Sequence, residues 1–107
     1  MNADELLSCY AELHTLSQEM LLHAQQEQWD ELLALEQARI PLLQQIANVD
    51  LSDFDLPAAT RVALQEQIAA ILEADRQTGE LTESWLSELR GIFASANNER
   101  KISDTYR

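Results

Sequence analysis

Apolar residues recur along the chain at helical spacing, and the first repeat predicts a helix from about Ala3 to Gln26. Asn2 is a suitable N-cap, and Glu5 three residues later completes a capping box. The positions that return every three or four residues form one face of an amphipathic helix. They are Leu6, Tyr10, Leu13, Ser17, Met20 and Ala24.

A second helix is predicted from about Trp29 to Ala47. The break before it, Gln25–Gln28, contains neither glycine nor proline and is weakly marked. Pro41 lies inside this helix, where it removes a backbone hydrogen bond, so a bend is expected there. The apolar side comprises Leu32, Leu33, Leu35, Ile40, Leu43 and Ile46.

The third predicted helix runs from about Pro57 to Ala94, after a connection rich in turn-forming residues at 48–56. Its apolar positions follow a seven-residue rhythm, but Asp75 and Thr78 make the middle of the stripe polar. A strict coiled coil is therefore not expected.

Two glycines and two prolines in 107 residues are too few to punctuate a many-stranded sheet. The predicted fold is all-α, an antiparallel three-helix bundle over residues 1–94 with a long third helix. Residues 95–107 form a short, polar C-terminal segment, with a fourth helix as an option.

The third helix is predicted to be about 55 Å long, against about 30–36 Å for the other two. It should pass the Gln25–Trp29 turn near residue 80, so residues 81–93 should project as an apolar overhang. The cover could be the chain's own tail, a second copy or a helix of another protein. Alternatively, a kink at Gly79 would fold the overhang back into a four-helix arrangement.

The formal net charge is −12, with 19 acidic residues against 7 lysines and arginines, which disfavours nucleic-acid binding. Residues 1–60 contain one lysine or arginine, Arg39, whereas the tail is slightly basic. The start of the chain has no signal-peptide pattern and its apolar runs are short, so a cytoplasmic protein without membrane insertion is expected.

Catalytic chemistry has no visible basis in the sequence. His14 and His23 are nine residues apart and fall on opposite helix faces, Cys9 is alone, and phosphate-loop and metal-ligand motifs are missing. We therefore predict no enzymatic activity, no metal and no cofactor.

Helix packing remains as the basis of function, with an amphipathic client helix in a groove between the second and third helices. Trp29 and Trp85 are either aromatic anchors or core residues. The predicted groove residues are Leu32, Leu35, Ile40, Leu43, Ile46, Leu81, Trp85, Leu89, Ile92 and Phe93.

Two stretches resemble the FliT family of flagellar type III export chaperones. The first is Leu16–Gln25 (LSQEMLLHAQ), followed by Trp29-Asp30 and then Leu32, Leu33 and Glu36. The second begins at Ser87–Leu89 and continues through Ile92-Phe93 to Lys101 and Tyr106. Of these, the segment from Ala24 to Asp30 is the most specific.

This resemblance implies a chaperone that binds the C-terminal region of the filament-cap protein FliD before export. It also implies contacts with the export ATPase FliI and the gate protein FlhA, and in enteric bacteria anti-activation of the regulator FlhDC. Tyr106 would dock at the export gate, and Ile102 and Tyr106 would make autoinhibitory contacts as residues 95–107 cover the groove. The alternative is a self-associating helical protein, such as a homodimer, without an export client.

Overall fold

A computed structural model describes residues 1–105, with side chains described for residues 1–92 and for Ala94 and Ser95. Three α-helices, α1 (Ala3–Gln25), α2 (Trp29–Ile46) and α3 (Ala58–Thr105), are accompanied by a 3₁₀ turn at Leu51–Asp53. The part of the chain described contains no β-strand. The all-α fold is therefore confirmed, and its fourth-helix option is not realised within residues 1–105.

α1 is the central helix, and it begins as predicted. The side-chain oxygen of Asn2 accepts a hydrogen bond from the Glu5 backbone N–H at 2.8 Å, and its amide nitrogen donates to the Glu5 carboxylate at 3.0 Å. The buried stripe contains Cys9, which is 3% exposed, where Tyr10 was predicted. Because α2 and α3 both cover α1, its buried face is turned toward Cys9 and Tyr10 is only partly covered.

The turn from α1 to α2 is built by the backbone. The Gln28 N–H donates to the His23 carbonyl at 2.9 Å and the Glu27 N–H to the Ala24 carbonyl at 3.2 Å, which is the Schellman pattern of helix termination. That pattern places Glu27 in the left-handed region, at φ 59°. Glycine normally occupies this position, so its absence explains why the break is weakly marked in the sequence.

α2 continues through Pro41 to Ile46, one residue short of the predicted end. The bend expected at Pro41 stays a prediction. The connection that follows is organised by Asp50, whose carboxylate accepts hydrogen bonds from the Ser52 backbone N–H and hydroxyl at 2.9 and 2.8 Å. These two bonds lower the pKa of Asp50. Pro57 precedes α3, and its carbonyl accepts the first helical bond, from Arg61.

α3 is one unbroken helix of 48 residues, and the molecule measures 73 × 22 × 20 Å. At about 1.5 Å per residue α3 is long enough to span that long axis. The helix passes through Gly79 without interruption, so the kinked alternative is wrong. It also continues past the predicted end at Ala94 to Thr105. The domain boundary at residue 94 and the covering role of residues 95–107 stay predictions.

The predicted start of the overhang is too early along α3. Leu81 packs against the cluster of Met20, Ala24 and Leu32, and Trp85 stacks on Trp29. The reason lies at the other end of the bundle, where Ile46, the last residue of α2, packs on a cluster containing Ile71. The first part of α3 therefore lies beyond the end of α2, which shifts the whole helix relative to the predicted register.

Replacing Glu27 with glycine should stabilise the fold. Glycine removes the steric cost of the left-handed conformation, and we expect the free energy of unfolding to rise by about 0.5–1 kcal/mol, measured by urea denaturation. Glu27→Gln keeps the strain and removes only the charge, so it should give a much smaller change. Equal stabilisation by both variants would show that charge, and not backbone conformation, limits stability at this turn.

Cys9 should be protected from thiol reagents in the folded protein. Burial raises the pKa of its thiol above the ordinary value of 9.0, and the Glu12 carboxylate adds to the rise. The contribution of the buried, protonated thiol to the free energy of unfolding is complete below about pH 9. It is lost as the pH rises through the pKa of Cys9 in the folded state. At pH 8 we expect reaction with a thiol reagent to be about ten-fold or more slower than in the urea-unfolded chain. Equal rates would contradict the burial.

Candidate functional site: the groove between α2 and α3

α2 and α3 each pack along α1 but stand apart from one another. In the part of the chain described, no Cα atom of α2 lies within 8 Å of a Cα atom of α3, whereas both helices approach α1 closely. Two neighbouring helices of a closed bundle would have axes about 8–10 Å apart along their length. The missing contact leaves a groove between α2 and α3, with α1 as its floor.

The groove has a volume of about 350 Å³. Its floor and lower wall are apolar, formed by Met20 of α1 and Leu32 of α2, while its middle is polar. The remaining lining residues are Glu36 and Arg39 of α2 and Asp75, Thr78, Gly79, Thr82, Glu83 and Leu86 of α3. Leu32 is the one predicted groove residue found among all these lining residues.

An ion pair bridges the groove at its centre. The Arg39 guanidinium donates to the Asp75 carboxylate at 2.6 Å and reaches the hydroxyl of Ser17, on α1, at 3.4 Å. The side chains are 16% and 32% exposed, so water screens this pair less than a surface pair. The basic residue that stands alone in the first 60 positions thus connects all three helices.

An aromatic pair forms the second bridge. The rings of Trp29 and Trp85 are stacked with centroids 4.8 Å apart and an interplanar angle of 21°. They join α2 to α3 near the α1–α2 turn, where Trp29 packs against the buried cluster of Met20, Ala24 and Leu32. Both tryptophans are half-buried, and neither is a lining residue of the groove.

Large apolar side chains extend along both outer edges of the groove. On α2, Leu43 continues the spacing of the lining residues Glu36 and Arg39, and Ile40 lies on the adjacent side of the same helix. On α3, Leu72 is seven residues before Gly79 and therefore on the same face. The exposed fractions of Ile40, Leu43 and Leu72 are 47%, 42% and 63%. These three residues are called the groove edge below.

The other predicted groove residues are distributed over several environments. Leu35 and Leu81 pack against the cluster of Met20, Ala24 and Leu32, and Ile46 packs against Cys9, Leu13 and Ile71. Leu89 is half-buried, and Ile92, further along α3, is 64% exposed. The side chain of Phe93, the side chain of Ile102 and the whole of Tyr106 lie outside the described part of the structure. Their predicted roles stay predictions.

Sequence reasoning overlooked Arg39, Asp75 and Gly79 as groove residues. One signal was available, because Ser17 and Asp75 interrupt apolar stripes and Arg39 is isolated among acidic residues. Polar groups at such positions are usually paired when buried. Which partner each would find depends on the register of α3, and the predicted register was wrong.

Three charged residues on the exposed side of α3 form an ion-pair network within the helix. Arg76 donates to the two Glu73 carboxylate oxygens at 2.9 and 2.7 Å and to Glu80 at 2.6 Å. The hydrogen bonds that Glu73 accepts from Arg76, and a further one from Gln77, lower the pKa of Glu73 to about 2. By contrast, neither Glu36 nor Glu83 of the groove forms an ion pair with another described residue. The groove is therefore negatively charged as well as apolar.

Among the described side chains, no cluster of three or more His, Cys, Asp or Glu residues is placed to hold a metal ion. None of the helices in the described range combines the length and hydropathy needed to cross a bilayer. An elongated all-α bundle with an open groove between two of its helices is the class of protein that the fold and the site define.

Comparison of the sequence with known proteins identifies the family to which the chain belongs. The profile of the family described as flagellar protein FliT matches residues 7–107. Flagellar protein FliT of Yersinia pseudotuberculosis serotype O:3 (strain YPIII) is 30% identical over 101 residues, covering 94% of this chain and 83% of that protein. Its counterpart in Yersinia pestis (strain Pestoides F) is 28% identical with the same coverage. No solved structure matches the chain. The chain belongs to the FliT family of flagellar proteins.

The bridge between Arg39 and Asp75 should contribute measurably to stability. We expect Arg39→Gln and Asp75→Asn each to lower the free energy of unfolding by about 1–2 kcal/mol, with a coupling energy near 1 kcal/mol in the double-mutant cycle. This value lies below that of a fully buried pair because both groups retain some solvent contact.

The exposed pair of Arg76 and Glu73 provides a matched control, since its N–O distance is 2.7 Å but its side chains are 55% and 54% exposed. Its coupling energy, from Arg76→Gln and Glu73→Gln, should be clearly smaller. Equal coupling in the two cycles would mean that burial adds nothing to the Arg39 pair.

Proposed function

We propose that this protein is a cytoplasmic, non-enzymatic flagellar export chaperone that binds the C-terminal region of the cap protein FliD before type III secretion. Two findings support the proposal, namely membership of the FliT family and the open groove between α2 and α3. The observation that carries it is the exposure of Ile40, Leu43 and Leu72 along that groove. Single exposed apolar residues are common on soluble proteins, but several along one groove are typical of an interaction surface.

The groove supports binding of an amphipathic helix by burial of apolar surface. A helix laid between α2 and α3 would place its apolar side chains on Met20 and Leu32 and cover the groove edge. Each Å² of apolar surface removed from water contributes roughly 25 cal/mol before the cost of ordering the client is subtracted. An export client must also be released, which favours a shallow groove with an ionic centre over a deep apolar pocket.

Further partners belong to the same proposal. We assign contacts with the export ATPase FliI and the gate protein FlhA to the C-terminal segment, with Tyr106 as the gate-docking residue. In organisms that contain the regulator FlhDC, the chaperone would also act as its anti-activator. A groove occupied by FliD would not be free for a second helical partner, so client binding and regulation would be mutually exclusive if both use it.

Binding of a purified C-terminal fragment of FliD, measured by isothermal titration calorimetry, tests the proposal. Ile40→Gln and Leu72→Gln remove apolar surface from opposite edges of the groove without opening the core, and each should weaken binding about ten-fold. Val62→Gln is the matched control, because Val62 is 53% exposed on α3 but precedes the part that faces α2.

No binding by the unmodified protein would overturn the proposed client. Equal losses in Val62→Gln and Leu72→Gln would place the binding surface elsewhere. Sedimentation over a concentration series, run alongside, identifies the competing function, since a dimer disrupted by Ile40→Gln would indicate self-association through the groove.

A further inference from the structure

Gly79 is a glycine that the fold itself does not require. It lies in the interior of α3 and lines the groove. A Cβ atom at this position would meet nothing within 4 Å, and its backbone is helical. Glycine weakens a helix interior because its unfolded chain has more conformations to lose. Internal packing therefore gives no reason for the missing side chain, whereas close approach of an external chain would.

The neighbours of Gly79 have the spacing of a helix–helix contact. Leu72, Gly79 and Leu86 follow one another at seven-residue intervals, and the two leucines are 63% and 38% exposed. This set is called the α3 seam. Seven-residue repeats are the spacing by which one helix meets another at a shallow crossing angle. Along α3 the seam spans 15 residues. Its ends are about 21 Å apart, or about four helical turns.

The charges around the α3 seam favour a docked helix that carries positively charged residues. Arg39 is neutralised by Asp75, and Arg76 by Glu73 and Glu80. Glu36 and Glu83 line the groove from opposite walls, and neither has a basic partner among the described residues. Lysine or arginine on the flanks of a docked helix would meet these carboxylates, whereas glutamate or aspartate would be repelled.

We propose that the α2–α3 groove receives one amphipathic partner helix of about four turns with basic residues flanking its apolar face, and that this helix approaches α3 most closely at Gly79. The inference rests on the proposed function and adds the chemistry of the partner. A second copy of this chain is a poor occupant, because its net charge of −12 would bring further acidic residues to Glu36 and Glu83.

Filling the space at Gly79 tests the point of closest approach. Gly79→Leu should fold at least as stably as the unmodified protein, because a Cβ there meets nothing within 4 Å and leucine favours helix. Gly91→Leu is the matched control, since a Cβ there also meets nothing within 4 Å and Gly91 lies outside the groove lining. Thermal unfolding of both variants establishes that they are folded before binding is compared.

Two designed peptides of about 18 residues serve as probes, with the same apolar helical face and with lysine or glutamate at the flanking positions. By fluorescence anisotropy, the lysine peptide should bind the unmodified protein at least about ten-fold more tightly at low salt. Glu36→Gln combined with Glu83→Gln should reduce that preference by about five-fold, and added salt should reduce it further. Gly79→Leu should weaken binding of the lysine peptide by about ten-fold, and Gly91→Leu should leave its affinity unchanged.

Failure of this inference can be separated from failure of the proposed function. Equal binding of the two peptides, no binding of either, or unchanged binding by Gly79→Leu would overturn the inference. The FliD fragment decides the client independently, because it can bind the unmodified protein whether or not the peptides behave as expected. If that fragment binds Gly79→Leu and the unmodified protein equally, FliD remains the client. Gly79 is then not the point at which it approaches α3 most closely.

Discussion

The packing of α2 and α3 onto α1, and not onto each other, is the constraint on which the rest of this molecule depends. A three-helix bundle normally buries three interfaces, and this one buries two along their length. Across the third, α2 and α3 meet in the described structure only through side chains, including the Arg39–Asp75 ion pair at the centre and the stacked Trp29 and Trp85 at one end. Side chains of both helices also share the apolar clusters over α1, where Ile46 packs with Ile71 and Leu81 with Leu32. Between and beside these bridges the groove remains open, so the proposed binding surface is the part of the α2–α3 interface where the two backbones stay apart.

The two bridges have different physical characters, and this affects how α2 can move. The stacked tryptophans tie α2 to α3 at the α1–α2 turn through apolar contact, which salt does not screen. The ionic bridge is directional and weakens with salt. It also holds Arg39 over Ser17, whose side chain is fully buried on α1. A helix entering the groove would meet a wall fixed at one end and held by a replaceable polar contact in the middle.

Local features of this fold could be predicted from the sequence because they depend on near neighbours. The helical stripe of α1, its cap at Asn2 and the start of α2 at Trp29 all follow from spacing and capping chemistry. The register of α3 did not follow, since it depends on how residues 47–57 pass the end of α2, and their turn residues do not encode a direction. Once that register is shifted, Leu81 and Trp85 move from the predicted overhang into the bundle. The pairing of Arg39 with Asp75 was hidden for the same reason.

The opposing demands of solubility and binding also account for the charge. Exposed leucines and isoleucines along a groove promote association between copies, and a net charge of −12 opposes it. Acidic residues distributed over the whole surface would suffice for that purpose. Glu36 and Glu83 lie within the groove lining, however, where they also reduce its attraction for any acidic partner. In the proposed binding mode, the same carboxylates would repel a second copy and select a basic-flanked helix, so that an apolar groove can stay open.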